Sequence, residues 1–249
     1  IDKLTSDISI KNESTKLGVG DDCAVMDYND SRVLVSTDLL MEGVHFDLTY
    51  VPLKHLGYKA AVVNFSDIYA MNGTPQQIVV ALGVSKRFTV EHLEELYSGI
   101  KLACDIYGVD LVGGDTTSSR SGLIISITCI GNATNEEIVY RSGAKETDLI
   151  CVSGDLGAAY MGLQLLEREK LASVGIEDFQ PQFQGKEYLI ERQLKPEARK
   201  DLIAELKNKS IHPTSMIDIS DGLSSELLHI CKASGVGCRI YEDKIPIDY

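Results

Sequence analysis

The 249-residue sequence has no CxxC pair: its six cysteines (Cys23, Cys104, Cys129, Cys151, Cys231 and Cys238) are dispersed along the chain. That pattern excludes a zinc ribbon or a disulfide frame. Several lie in apolar runs such as "SITCIG" and "LICVSG", and they read as small buried hydrophobes of a reducing, cytoplasmic compartment. No stretch approaches the roughly 18 apolar residues of a membrane span, and no signal peptide is visible, so no membrane partner is expected. There is no GxxxxGK[ST], which excludes a Walker-type NTPase, and no GxGxxG between a strand and a helix, which leaves a dinucleotide fold unsupported. GxSxG is also missing, and no convincing nucleophile replaces it. Basic residues are outnumbered, 24 Lys and Arg against 37 Asp and Glu, for a net charge of −13. A general nucleic-acid binder needs the opposite balance. The acidity fits a protein that holds cations, although many soluble proteins are acidic without holding any.

Against these absences, 44% of the residues are hydrophobic and 24% charged, enough for real cores in one large domain or two ordinary ones. Period-2 or short apolar runs predict strands at 31–38, 76–85, 122–131 and 148–154. Helical periodicity predicts helices at 53–71 and 89–108, the second capped by Thr89, and further helices at 155–170, 187–208 and 222–234. The polar stretch "GNATNEEIVYRSGAKETD" suggests a boundary near residue 137, giving domains 1–137 and 138–249, and 173–187 reads as a surface loop. The chain begins without Met and ends at "IPIDY", soon after a strand-like "GCRIYED", so the second domain is expected to be incomplete.

Acidic residues recur where apolar strands give way to turns. Asp21 and Asp22 stand side by side in "LGVGDDCAV", Asp38 closes "VLVSTD", Asp115 follows "LVGG", and Asp218 and Asp221 belong to "IDISDGL". Asp67 interrupts the apolar helix 53–71, where a buried carboxylate needs a partner. Each has a plain structural reading: a turn cap at Asp38, a loop closure at Asp115, a helix N-cap at Asp221. Together they form a set of hard oxygen donors from several elements, which is how Mg²⁺ is held while it grips phosphates. "GVG" (18–20) and "GG" (113–114) would let backbone amides approach an anion. Of five scattered histidines only His45, in "EGVHF", adjoins a candidate site residue. Phosphoryl transfer suits this inventory, because it asks for positioning and charge neutralisation rather than a covalent intermediate.

In order, "GVGDDCAV", "STDLLMEGVHF", "NFSDIYAM", "GGDTT", "RSGAK" and "DISDGL" resemble the thiamine-monophosphate kinase family, part of the ATP-dependent superfamily related to aminoimidazole ribonucleotide synthetase. The resemblance runs from about Leu17 to about residue 245. It implies an α/β plus α+β chain: an N-terminal domain whose mixed sheet forms a barrel across a homodimer, and a C-terminal α+β domain. It implies direct transfer of the ATP γ-phosphoryl to thiamine monophosphate, with several Mg²⁺ ions. Asp22, Ser36, Thr37, Asp38, Asp67, Asp115, Asp218 and Asp221 would serve the metal. Gly114, Asp115, Arg141 and Ser220 would meet ATP, and His45 the acceptor phosphate. No residue is assigned as a catalytic base, and Asp21 is left as the turn residue. Two features depart from the family: Asn72 stands in the glycine slot of "AMNG", and the family continues past Tyr249 into a part that contacts the thiamine rings. The alternatives are another synthetase of the superfamily, or a nucleotide-binding module without catalysis.

Overall fold

The structure, a computed structural model, describes residues 14–17, 21–28 and 31–247. Its centre is a six-stranded mixed sheet of β1 (Thr15–Leu17), β2 (Ala24–Tyr28), β3 (Ser31–Met41), β4 (Thr74–Val84), β5 (Asp110–Ser118) and β6 (Leu123–Ala133). The spatial order is β1-β2-β3-β6-β4-β5. Only β4 and β5 run parallel; the other neighbours are antiparallel. β6 lies between the two longest partners because "LIISITCIGNA" is β-branched and strictly alternating: Leu123, Ile125, Ile127 and Cys129 are buried, and the residues between them face the other side.

Two helices cover the buried face, α1 (Leu53–Ala70) and α2 (Val90–Tyr107), the second being the crossover that parallel β4 and β5 require. α1 is apolar nearly all round, with Leu56, Tyr58, Ala61, Phe65 and Ile68 each no more than 1% exposed, as suits a helix between sheet and neighbouring helix. α2 starts after Thr89, whose backbone N–H donates to His92 Nδ1 at 3.1 Å. The two helices touch backbone to backbone. A Cβ placed on Gly99 would stand 1.8 Å from the Lys54 carbonyl oxygen. Gly99→Ala is therefore expected to cost about 2 kcal/mol or more through forced separation of the helices. An unchanged urea midpoint would show that the helices do not depend on that distance.

The C-terminal half is helical and irregular: α3 (Ala158–Ala172), α4 (Glu187–Leu194), α5 (Lys200–Asn208), α6 (Leu223–Ser234) and a 3-10 turn at Glu242–Lys244. Three expectations are corrected here. Residues 148–154 form no strand; a strand needs a hydrogen-bonding neighbour, and among the described residues the nearest pairing is a single bridge, Leu156 to Ile247. "GCRIYED" likewise stays irregular up to its 3-10 turn. The helix expected over 187–208 is two helices, because Pro196 lacks an N–H and biases Lys195 out of the helical region (φ −136°, ψ 68°). No helix among the described residues is long and apolar enough to cross a membrane. The cysteines are all free, but not all are buried: Cys151 and Cys238 are exposed.

Candidate active site

Sheet and helix packing bring together three carboxylates that are far apart in sequence. Asp22 precedes β2, Asp67 projects from α1 one turn before its end, and Asp218 lies in the irregular segment before α6. One oxygen from each lies within 4.8 Å of the others. Each carboxylate has its own donor. The Ser36 hydroxyl, from β3, donates to Asp67 Oδ2, and the Ser66 hydroxyl donates to Asp218 Oδ2 at 2.6 Å. Arg141 Nε donates to Asp22 Oδ2 at 3.1 Å while its Nη2 pairs with Asp22 Oδ1.

Gathering these charges in a buried site has an electrostatic cost. Burial pushes the Asp67 carboxyl up to about 8; the Ser36 bond offsets part of this, and the nearby charges of Asp218, Asp38 and Asp22 add to it. Asp22 and Asp218 are also raised, burial being the main cause in both, with Arg141 and Ser66 opposing. Hard oxygen donors that repel one another at this spacing fit a divalent cation such as Mg²⁺. Asp21 lies outside this trio: its Oδ1 accepts the Asp22 N–H at 2.9 Å and its Oδ2 the Arg141 N–H at 3.0 Å.

Asp38 belongs to the same region but not at a strand end as expected; it lies within β3, which runs on to Met41. Its backbone N–H donates at 3.1 Å to the side-chain oxygen of Asn64, a fully buried residue of α1. Burial and the Asp218 charge raise its carboxyl, and His45 opposes them. Thr37 does not turn toward this cluster. Its hydroxyl donates to the Ile127 carbonyl at 3.1 Å and lies 3.0 Å from Thr128 Oγ1, on the opposite face of the sheet from Ser36. His45 is exposed, and its Nδ1 accepts the Met41 N–H at 3.0 Å. It lines a cleft of about 380 Å³ together with Lys59 of α1 and residues of α3 and α4.

Other expected residues stand apart. "GG" is no loop: Gly113 and Gly114 lie inside β5, paired with Val79 and Val80. A Cβ on Gly114 would sit 2.0 Å from the Val80 carbonyl oxygen, so the glycine serves strand packing. Asp115, also inside β5, shares a cross-strand row with Ala81, Ser126 and Leu39 on the open face, and it is not in the carboxylate trio. Ser220 is exposed and its hydroxyl donates weakly to Asp218 Oδ1 at 3.3 Å. Asp221 is exposed and does not cap α6; Gly222 occupies the N-cap, and buried Glu226 accepts the N–H groups of Asp221 (3.2 Å) and Gly222 (3.0 Å). "GVG" (18–20) lies outside the described residues.

Two family models match the chain, the AIR synthase related protein N-terminal domain over residues 20–133 and its C-terminal domain over 145–249. The chain is 35% identical to thiamine-monophosphate kinase of Bacillus subtilis over 245 residues, covering 96% of this chain and 71% of the relative. It is 36% identical to the Aquifex aeolicus enzyme over 229 residues, covering 92% and 70%. The chain belongs to the thiamine-monophosphate kinase family. The solved structure of AaThiL complexed with AMPPCP and TMP superposes on it with a TM-score of 0.82 at 33% identity, over 99% of this chain and 72% of that one. The HypE–HypF complex structure shares the fold alone, with a TM-score of 0.71 at 22% identity, over 99% of this chain and 74% of that one.

Around this carboxylate cluster, several supporting residues were not evident from the motifs. Ser66 adjoins Asp67 in "NFSD", and Asn64 is the other polar residue of that buried helix segment; polar side chains in an apolar helix were the available signal. Ser234, in the last turn of α6, accepts the N–H groups of Gly143 (3.2 Å) and Ala144 (3.1 Å) and so steadies the "RSGAK" loop that carries Arg141. Nothing local marks it. Asn72, in the glycine slot, takes a left-handed backbone that asparagine tolerates: φ is 55°, and its side chain donates to the Glu137 carbonyl at 2.7 Å.

Proposed function

We propose that the chain phosphorylates thiamine monophosphate with ATP, giving thiamine diphosphate and ADP by direct in-line transfer. The observation that carries this reading is the convergence of Asp22, Asp67 and Asp218 in a member of this kinase family. The related AaThiL, complexed with AMPPCP and TMP, supports the same pair of substrates.

In this reading Asp22, Asp67 and Asp218, with Asp38 beside them, hold Mg²⁺. Bound there, Mg²⁺ would supply charge neutralisation for the phosphates that these residues position. Ser36 and Ser66 orient two of the carboxylates. Thr37 contributes through its backbone, since its hydroxyl is engaged on the other face. Arg141 exchanges its hold on Asp22 for the nucleotide phosphates, with Gly114, Asp115, Ser220 and Asp221 as the remaining nucleotide and metal contacts. His45 meets the acceptor phosphate. No general base is assigned, because positioning and electrostatics carry this chemistry.

The reading includes a cytoplasmic protein of two domains divided near residue 137, and a homodimer. The open face of the sheet exposes Leu39, Met41 and Val79, an apolar set that a second copy would cover to form a barrel. Asp115 stands on that face, so its part in the site depends on the dimer.

ADP release tests the proposal. With ATP and Mg²⁺, release is expected to depend on thiamine monophosphate, to yield thiamine diphosphate, and to stop on addition of EDTA. Formylglycinamidine ribonucleotide and selenide serve as rival substrates. Release with a rival alone, or an equal rate in EDTA, overturns the reading.

A further inference from the structure

The loop between β3 and α1 carries His45 and is anchored by buried Phe46 near its middle and Val51 near its end. Between those anchors its contacts with α3 are polar. Lys170 Nζ donates to Asp47 Oδ2 at 2.7 Å, and the Tyr50 hydroxyl donates to Glu167 Oε1 at 2.6 Å. Lys170 Nζ also lies 3.6 Å from Glu167 Oε2 and 5.9 Å from the centre of the Tyr50 ring. Glu167 and Lys170 are three residues apart, so they present adjacent groups on one face of α3. Asp47 also accepts the Thr49 N–H at 2.8 Å, and these bonds, that of Lys170 foremost, hold its carboxyl down to about 2.

All four side chains line the same cleft as His45. A single exposed ion pair is weak, but a network with a charge-assisted tyrosine bond fixes geometry as well as adding attraction. The cation cluster and Arg141 are held by other elements: Ser36 on β3, Ser66 on α1, and the loop steadied by α6.

We propose that Asp47, Tyr50, Glu167 and Lys170 form a clasp of positioning residues, which sets the acceptor cleft beside His45 and thereby the apparent affinity for the phosphorylated acceptor but not for ATP. This rests on the function proposed above. The test is steady-state kinetics of Lys170→Met, Tyr50→Phe and the charge-exchanged pair Asp47→Lys/Lys170→Asp, with hydrogen exchange on the same proteins. Lys170→Met is expected to raise KM for thiamine monophosphate about fivefold or more, with KM for ATP within about twofold. Tyr50→Phe shifts the same KM in the same direction, and the exchanged pair recovers most of the loss. A merely structural role would move both KM values together, and that result overturns the clasp, as does an unchanged KM for thiamine monophosphate.

Hydrogen exchange reads the clasp without any substrate. Amides of residues 47–50 exchange faster in Lys170→Met while those of α1 do not; equal protection in parent and variant overturns the inference. Parent protein that gives no ADP with thiamine monophosphate overturns the proposed function instead, and the exchange result then decides the clasp alone.

Discussion

Asp67→Asn is expected to lower kcat by about a hundredfold or more while leaving the melting temperature of the cation-free protein equal to or above that of the parent. The two effects have one cause. Asp67 is surrounded by Asp22, Asp38 and Asp218 and buried enough that its carboxyl is pushed up to about 8, so without a cation its charge is a burden on the fold. An amide of nearly the same shape keeps an acceptor for the Ser36 hydroxyl and discards the charge. Folding is therefore spared, whereas a cation that needs that charge is held poorly. Asp67→Ala, which also removes the acceptor, separates charge from shape. Near-normal turnover of Asp67→Asn would remove the cluster from the reaction; a melting temperature well below the parent would show that the charge is already compensated within the protein.

The second expected result is a stability that falls as pH rises in EDTA and is restored by Mg²⁺. The folded Asp67 carboxyl titrates at about 8, above its ordinary value of 3.8. Between about pH 4 and about pH 8 the native state therefore binds more protons than the unfolded chain, and stability declines with rising pH. The raised carboxyls of Asp22, Asp38 and Asp218 act in the same direction. A divalent cation replaces the proton, so Mg²⁺ should raise the melting temperature more at about pH 8 than at about pH 6, with proton release on binding. Thermal scans across that range, with Asp67→Asn as control, check this: the variant should show a flatter profile and a smaller response to Mg²⁺. A profile in EDTA as steep in the variant as in the parent assigns the decline to the general excess of 37 acidic residues over 24 basic ones rather than to the site.

The legible part of this protein is uneven in an instructive way. β3, β4 and β6 follow from alternation of β-branched residues, and α1 and α2 from three- and four-residue apolar spacing, because those patterns describe faces that must be buried. The expected strand at 148–154 has the same composition and fails, since composition supplies a face but not a neighbour to complete the hydrogen bonds. Thr37 shows where a motif read as a block meets the geometry of a strand. Successive residues of a strand point to opposite faces, so Ser36 and Thr37 cannot both turn a side chain to α1, and it is Ser36 that bonds to Asp67. "GGD" reads in sequence as an anion loop because glycine permits many roles; within β5 its second glycine answers the 2.0 Å approach of the Val80 carbonyl oxygen.

By itself the sequence determined the family, the chemistry of the donors and the type of β3, β4, β6, α1 and α2, but not β2 or β5, because ordered motifs and apolar periodicity are local properties. Tertiary structure alone decided that Asp22, Asp67 and Asp218 converge while Asp115 stays on the open face, and that Ser66, Asn64 and Glu226 support the site. The reason is that proximity between residues tens of positions apart depends on strand order, register and helix packing. No single segment encodes those, because they arise when the chain buries its apolar faces together.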